Sequence, residues 1–405
     1  MRDGVRRVQL PLLALAAIAL AALPYLRHAR NRLLSGQPVT LAAAAAAAVT
    51  PALALAASLF LLLAPSLRPG SVRARWAGLL GAGLSLACCL WLAAGAAEQL
   101  AARSNSLSAR TSLGAGCWVL IAIILLLASD TARRLGLSAW RGLAAFVLVV
   151  GPVVALLAAG ALDPLSLLRE YAVQRGPFQA ALQRHVLLVA GALAPALLIG
   201  LPLGVAAQRR ASVRRVAMPA LNLIQTIPSI ALFGLLIGPL SALSAGVPAL
   251  RELGISGVGP APAILALVLY ALLPIVRNTL EGLDAVPLGV REAARGMGMG
   301  PLQRLAMVEL PIAVPVIMAG VRIAVVINIG ITAIATYIGA GGLGAFISRG
   351  ISQTDSRQLV TGALAVSLLA IAADYGLLWL QRRLTPRGLR AARPVVWRHA
   401  RRTPA

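Results

Sequence analysis

The chain has 405 residues, 59% of them hydrophobic and only 12% charged, with a formal net charge of +25. Such a composition excludes an ordinary soluble domain, and apolar runs of 18–20 residues or more read as membrane spans. Every basic side chain is an arginine. With no lysine there is no Gly-x-x-x-x-Gly-Lys-Ser/Thr loop to reach nucleotide phosphates, so an ATP-driven activity requires a separate ATPase polypeptide.

In chain order the apolar segments predict about ten transmembrane helices, near 9–26, 41–63, 76–97, 115–129, 141–161, 185–207, 216–238, 262–281, 312–338 and 359–381. Placing both termini in the cytoplasm puts 25 of the 37 arginines on inner segments and 11 on outer ones, with Arg322 inside a span. Arg27, Arg30 and Arg32 run against that bias. A signal peptide is the competing reading of the N-terminus, because Arg6 and Arg7 precede a short apolar stretch. The arginines fall mostly in short loops without interleaved aromatics, which fits a membrane protein in contact with lipid and gives no sign of nucleic-acid binding.

The predicted organisation is an accessory region of about five spans over 1–162, an external linker over 163–184, a five-span core over 185–381 and a basic cytoplasmic tail over 382–405. Cys88, Cys89 and Cys117 lie within apolar spans, where they read as small packing residues; no metal site is expected. No internal repeat appears, and Asp374 is the one acidic residue deep in a core span, which argues against an ion-gradient-driven carrier.

Two polar stripes interrupt the core spans. Asn222, Gln225, Thr226 and Ser229 cluster at spacings of three and four beside Pro228, and Asn328 and Thr332 share a helical face with Thr336. They read either as the lining of a translocation path or as hydrogen-bonding glue between helices. Arg322 sits about eleven residues into its span and has Asp374 or backbone carbonyls as possible partners. The glycine run from Gly339 to Gly344 is a hinge or a close-packing turn. The few aromatics, 4% of the chain, show no cage for a quaternary ammonium ion.

The most specific segment is the polar one between the eighth and ninth spans. Pro287 suits a helix start, Leu288 to Arg295 can be helical, and Gly296 and Gly298 are stop signals. A helix this short is marginal alone and reads as a docking element, with Ala293 and Ala294 allowing a partner surface close to the backbone. Glu292-Ala293-Ala294, three residues, Gly298, nine residues, Val308, one residue and Leu310-Pro311 resemble the EAA loop of ABC importer permeases. Val308 stands where that family usually has isoleucine. Residues 225–233, 270–279 and 338–344 are similar to the osmoprotectant branch, so the resemblance covers about 184–381.

This resemblance implies an all-α membrane protein with a C-terminal type I ABC importer permease core, located in the bacterial inner membrane. It implies that Arg291, Glu292, Ala293, Ala294, Gly298, Leu310 and Pro311 form the loop that docks a cytoplasmic ABC ATPase. That partner would carry ATP and Mg, leaving this chain non-catalytic and without a cofactor of its own. A second permease, identical or shorter, and an external solute-binding protein complete the expected assembly. The expected cargo is glycine betaine, choline or a related solute, with an amino acid as the alternative.

Overall fold

The computed structural model describes residues 2–30, 36–68, 71–104, 109–136, 139–252 and 254–386. Two compact units divide the chain, Met1–Gln174 and Arg175–Ala405.

In unit 1 the helices are α1 (Arg2–Ala22), α2 (Leu41–Ala47), α3 (Val49–Leu62), α4 (Ala64–Leu67), α5 (Val72–Ser104), α6 (Ala115–Leu135), α7 (Ala139–Ala158) and α8 (Ser166–Val173). Alanine and leucine, the strongest helix formers among apolar residues, dominate these segments. The central helix is α5, which packs against α3, α6 and α7. Gly83 allows the closest approach: a Cβ there would lie 2.0 Å from the Leu148 carbonyl oxygen of α7.

Unit 1 also holds a feature that helical periodicity did not predict. Strands β1 (Leu26–Ala29), β2 (Gln37–Val39) and β3 (Arg110–Leu113) form an antiparallel sheet ordered β2-β1-β3. Leu26 pairs with both Val39 and Leu113, so the connections after α1 and after α5 meet at one end of the unit. Tyr25 anchors this end; it is fully buried and its hydroxyl donates to the Cys89 carbonyl oxygen at 2.7 Å. The sequence put Cys89 and Cys117 in separate spans; the fold brings their sulfurs to 3.5 Å.

Unit 2 contains α9 (Arg175–Arg209), α10 (Ala211–Thr226), α11 (Ser229–Gly246), α12 (Pro248–Glu252), α13 (Pro260–Asp284), α14 (Leu288–Gly296), α15 (Pro301–Arg304), a π turn (Leu305–Glu309), α16 (Leu310–Ile334), a 3-10 turn (Ala335–Ile338), α17 (Gly344–Ser352) and α18 (Ser356–Leu384). Its spine is α13, packed between α9 and α16. Gly320 makes the second contact possible, since a Cβ there would sit 2.5 Å from the Pro274 carbonyl oxygen. Small residues at such crossings let helix backbones approach where apolar burial alone gives little preference in lipid.

Among the described residues, nine helices are long and apolar enough to cross a membrane. Within the expected first span, the described residues include the shorter apolar helix Pro11–Ala22 of α1. The expected span 216–238 is two helices. Pro228 removes a helical donor and holds Ile227 extended (φ −71°, ψ 125°), so α10 ends there and the membrane-length helix is Ser229–Gly246. The expected linker 163–184 is mostly helical, with α8 inside it and α9 starting at Arg175. Residues 387–405 of the expected tail lie outside the described residues.

Candidate coupling site

Between α13 and α16 the chain makes a compact loop whose backbone explains its sequence. Pro287 takes an extended conformation (φ −58°, ψ 138°) as the N-cap of α14, one position earlier than a first-turn proline. The helix is closed by a Schellman motif: Gly298 N–H donates to Arg295 O at 2.9 Å and Met299 N–H to Ala294 O at 3.1 Å. Gly298 has φ +78°, and a Cβ added there would meet nothing within 4 Å, so its constraint is conformational and not steric.

The loop's side chains divide into two sets. Glu292, Ala293 and Arg295 are exposed, together with Leu288, Met297, Leu302 and Met307, which present an apolar rim. Ala294 is 1% exposed and faces the loop's own interior, so of the two alanines only Ala293 offers an outward surface. Arg291 turns inward as well: its Nη2 donates to the Leu283 carbonyl oxygen.

Beneath α14 lies a carboxylate that the motif does not mark. Glu309 is 4% exposed and accepts from Arg304 Nε at 3.0 Å, with Arg291 Nε at 3.8 Å. One buried negative charge therefore holds α14, α15 and the start of α16 together. The available signal was a lone carboxylate among Met307, Val308 and Leu310, in a loop with several arginines. Leu310 packs with Leu283, Ala313 and Ile317. Pro311 sits near the start of α16 in a helical run continuous from Pro301; the π turn immediately precedes it, next to the carbonyl at 307 that its ring would crowd. From α9, Arg209 Nη2 donates to the Pro301 carbonyl oxygen at 3.1 Å.

The candidate path residues are split by their surroundings. Asn222 and Thr226 are exposed on α10, Gln225 is half-buried and donates to the Tyr270 carbonyl oxygen at 3.0 Å, and Ser229 opens α11. Tyr270 answers by donating its hydroxyl to Ile227 O, so the two side chains satisfy backbone groups around the α10–α11 break. Asn328 and Thr332 are fully buried in α16; Thr332 Oγ1 donates to Asn328 O at 2.7 Å, and the Asn328 amide has no hydrogen-bond partner among the described residues. No hydrogen bond joins the α10 stripe to this pair among the described residues, and Thr336 leaves the helical face by falling in the 3-10 turn. Arg322 and Asp374 do meet, in a bidentate pair with both contacts at 2.8 Å across α16 and α18.

A helical chain with nine membrane-length helices among the described residues and a capped, exposed loop between two of them fits a transport permease, and the comparisons agree. Residues 196–388 match the family model of the binding-protein-dependent transport system inner membrane component, and residues 5–168 match the N-terminal domain of the ABC transporter permease YehY. The chain is 51% identical over 207 residues to the osmoprotectant import permease protein OsmW of Salmonella typhimurium, covering 51% of this chain and 91% of that one. It is 40% identical over 204 residues to the glycine betaine/carnitine/choline transport system permease protein OpuCD of Bacillus subtilis, covering 50% and 82%. A solved chain of the inward-facing MetNI methionine ABC transporter aligns with a TM-score of 0.46 at 24% identity, over 52% of this chain and 96% of that one. The chain belongs to the ABC importer permeases, as a multi-pass inner-membrane component.

Proposed function

We propose that this chain is the membrane subunit of an ATP-driven importer for glycine betaine, choline or a related osmoprotectant. The observation that carries the coupling role is the loop geometry: a Schellman-capped helix, braced from beneath by Glu309, that leaves Glu292, Ala293 and an apolar rim outward. A separate ABC ATPase holding ATP and Mg docks there. An external binding protein selects the solute, and a second permease, identical or shorter, completes the path. The arginine distribution supports both termini and the coupling loop facing the cytoplasm. The similarity to OsmW and OpuCD supports the cargo.

Mechanically, ATP-driven closure of the ATPase pair pulls on α14. The Glu309 cluster passes that displacement to α16, and Arg209 passes it to α9. The cargo path then runs beside the exposed α10 residues Asn222 and Thr226, with Gln225 and Ser229 at the helix break and Asn328 and Thr332 buried in this conformation.

The test is uptake of labelled glycine betaine and choline into vesicles holding this chain, its ATPase and its binding protein. ATP-dependent, saturable uptake of either, abolished by Glu292→Arg with membrane insertion intact, is the expected result. Uptake of only an amino acid would keep the importer and discard the cargo, and uptake without the ATPase would overturn the proposal.

A further inference from the structure

At the far end of unit 2, α9 makes a second polar tie, this time to α16 and the turn after it. His185 lies in α9, 24 residues before Arg209, which is about 36 Å of helix. It is fully buried and bonds to two elements at once: its Nε2 lies 3.1 Å from the Ile329 carbonyl oxygen of α16, and its Nδ1 accepts the Leu343 N–H at 3.3 Å. Its neighbour Arg184 donates to the Ala340 carbonyl oxygen at 3.1 Å. Two consecutive residues thus fasten the turn 339–343, where Gly339, Gly341 and Gly342 all have positive φ. The approach is close: a Cβ on Gly342 would lie 3.2 Å from His185 Nδ1.

These bonds fix the chemistry of the ring. A carbonyl oxygen needs a donor at Nε2 and an N–H needs an acceptor at Nδ1, so only the neutral Nε2–H tautomer satisfies both. A second proton would set N–H against N–H at Leu343 and push the turn away from α9. The charged groups nearby do not compensate such a proton: Arg184 is turned to Ala340 O, and Arg349 of α17 lies 4.7 Å over the Phe346 ring. The turn 339–343, α13 from 260 to 276 and α16 from 323 to 334 contribute no charged side chain.

We propose that His185 is the positioning residue that holds the glycine turn closed at the far end of the core, and that protonating it releases the turn. The consequence for transport rests on the importer reading above. Arg209 joins α9 to α15, which leads through the π turn into α16, and His185 joins α9 to α16 itself at the other end, so opening the far end requires breaking the His185 tie.

The test compares His185→Gln with His185→Phe in the complete transporter. Glutamine presents one acceptor and one donor at nearly the spacing of the two ring nitrogens and does not titrate; phenylalanine keeps the ring and loses both bonds. Wild-type uptake should fall as external pH drops through roughly 7 to 5, the imidazole range. His185→Gln should keep neutral-pH uptake and lose that acid response, while His185→Phe should lose about tenfold at every pH. A second readout needs no transport. Because acid also removes thiolate, labelling of Ala340→Cys by a membrane-impermeant maleimide is taken relative to an exposed reference cysteine at the same pH; that ratio should rise on acidification, but only if His185 is present. An acid response in His185→Gln equal to wild type, acid-independent labelling of Ala340→Cys, or wild-type uptake in His185→Phe would each overturn the proposal. Absence of any ATP-driven uptake would sink the importer reading and leave the labelling result standing.

Discussion

The two units solve the same problem, a stack of helices in lipid, with different chemistry. Unit 1 relies on interlocked small and apolar side chains around α5, with a short sheet and the Tyr25 hydroxyl closing one end. Its one ion pair among the described pairs, Arg134–Asp130 at 2.7 Å, spans a single helical turn. Unit 1 also has long-range polar contacts, Tyr25–Cys89, Ser85–Ser58 and His28–Thr111. Unit 2 has the same small-residue crossings and carries charged ties between elements, Arg322–Asp374 and Glu309 with Arg304 and Arg291, beside Gln225–Tyr270 and His185. Apolar packing resists sliding but has little direction, whereas each tie is made in one geometry and lost in another.

The sharpest way to break this comparison is at Glu309. Glu309→Gln leaves Arg291 and Arg304 facing each other without their shared carboxylate, at a cost of about 3–5 kcal/mol for disrupting a buried charge cluster. Uptake should be abolished while the chain still inserts, and a thermal melt of the purified transporter should show the loss. Retained uptake would remove Glu309 from the coupling path.

Next comes the pair within the membrane. Asp374→Asn should destabilise by about 2–3 kcal/mol, because Arg322 keeps its charge at a position costly to leave unpaired. The double change Arg322→Met with Asp374→Leu should recover most of that loss, measured by denaturation in detergent. The matched substitution in unit 1, Asp130→Asn, should cost under about 0.5 kcal/mol, as expected of an i, i+4 pair within one helix. Equal effects at the two positions would erase the distinction between the units.

A smaller effect is expected at Gly298. Forcing a β-branched residue into φ +78° costs about 1–2 kcal/mol, so Gly298→Val should loosen α14 and lower solute imported per ATP hydrolysed. Gly298→Asn should be milder, because asparagine tolerates that region. If both behaved alike, side-chain bulk against the ATPase would be the operative factor.

The smallest lies in the sheet of unit 1. Burial and the nearby Arg30 charge lower the His28 pKa in the folded state, and its Nδ1 lies 2.9 Å from Thr111 Oγ1. An unfolded His28 binds its proton first, so stability is full above the unfolded value of about 6.5 and declines as pH falls below it. His28→Gln should flatten that part of the stability profile, read as melting temperature against pH. A slope unchanged by the substitution would place the acid sensitivity elsewhere.

Much of the coupling loop was legible because its features are local. Gly298 ends α14 because a Schellman turn needs positive φ one residue past the C-cap. Span positions were readable for the same reason, with one instructive failure: Pro228 broke the segment 216–238, and the sequence alone did not show that the helix would restart at Ser229 and run to Gly246. Ala294 was read as open to a partner surface, yet it turns inward, as does its neighbour in the loop Arg291, since helical spacing fixes a relative angle and not which side meets the rest of the chain.

By itself the sequence determined the class, the positions of most membrane-length helices, the absence of a nucleotide loop and the position of the short helix α14. Hydropathy, charge and backbone conformational preference act over a few residues at a time. The tertiary structure alone decided the partners: Glu309 with two arginines, Arg322 with Asp374, Cys89 beside Cys117, and His185 with a turn 158 positions away. The physical reason is that a hydrogen bond or ion pair depends on distances of about 3 Å between atoms, which the folded backbone sets and residue spacing does not.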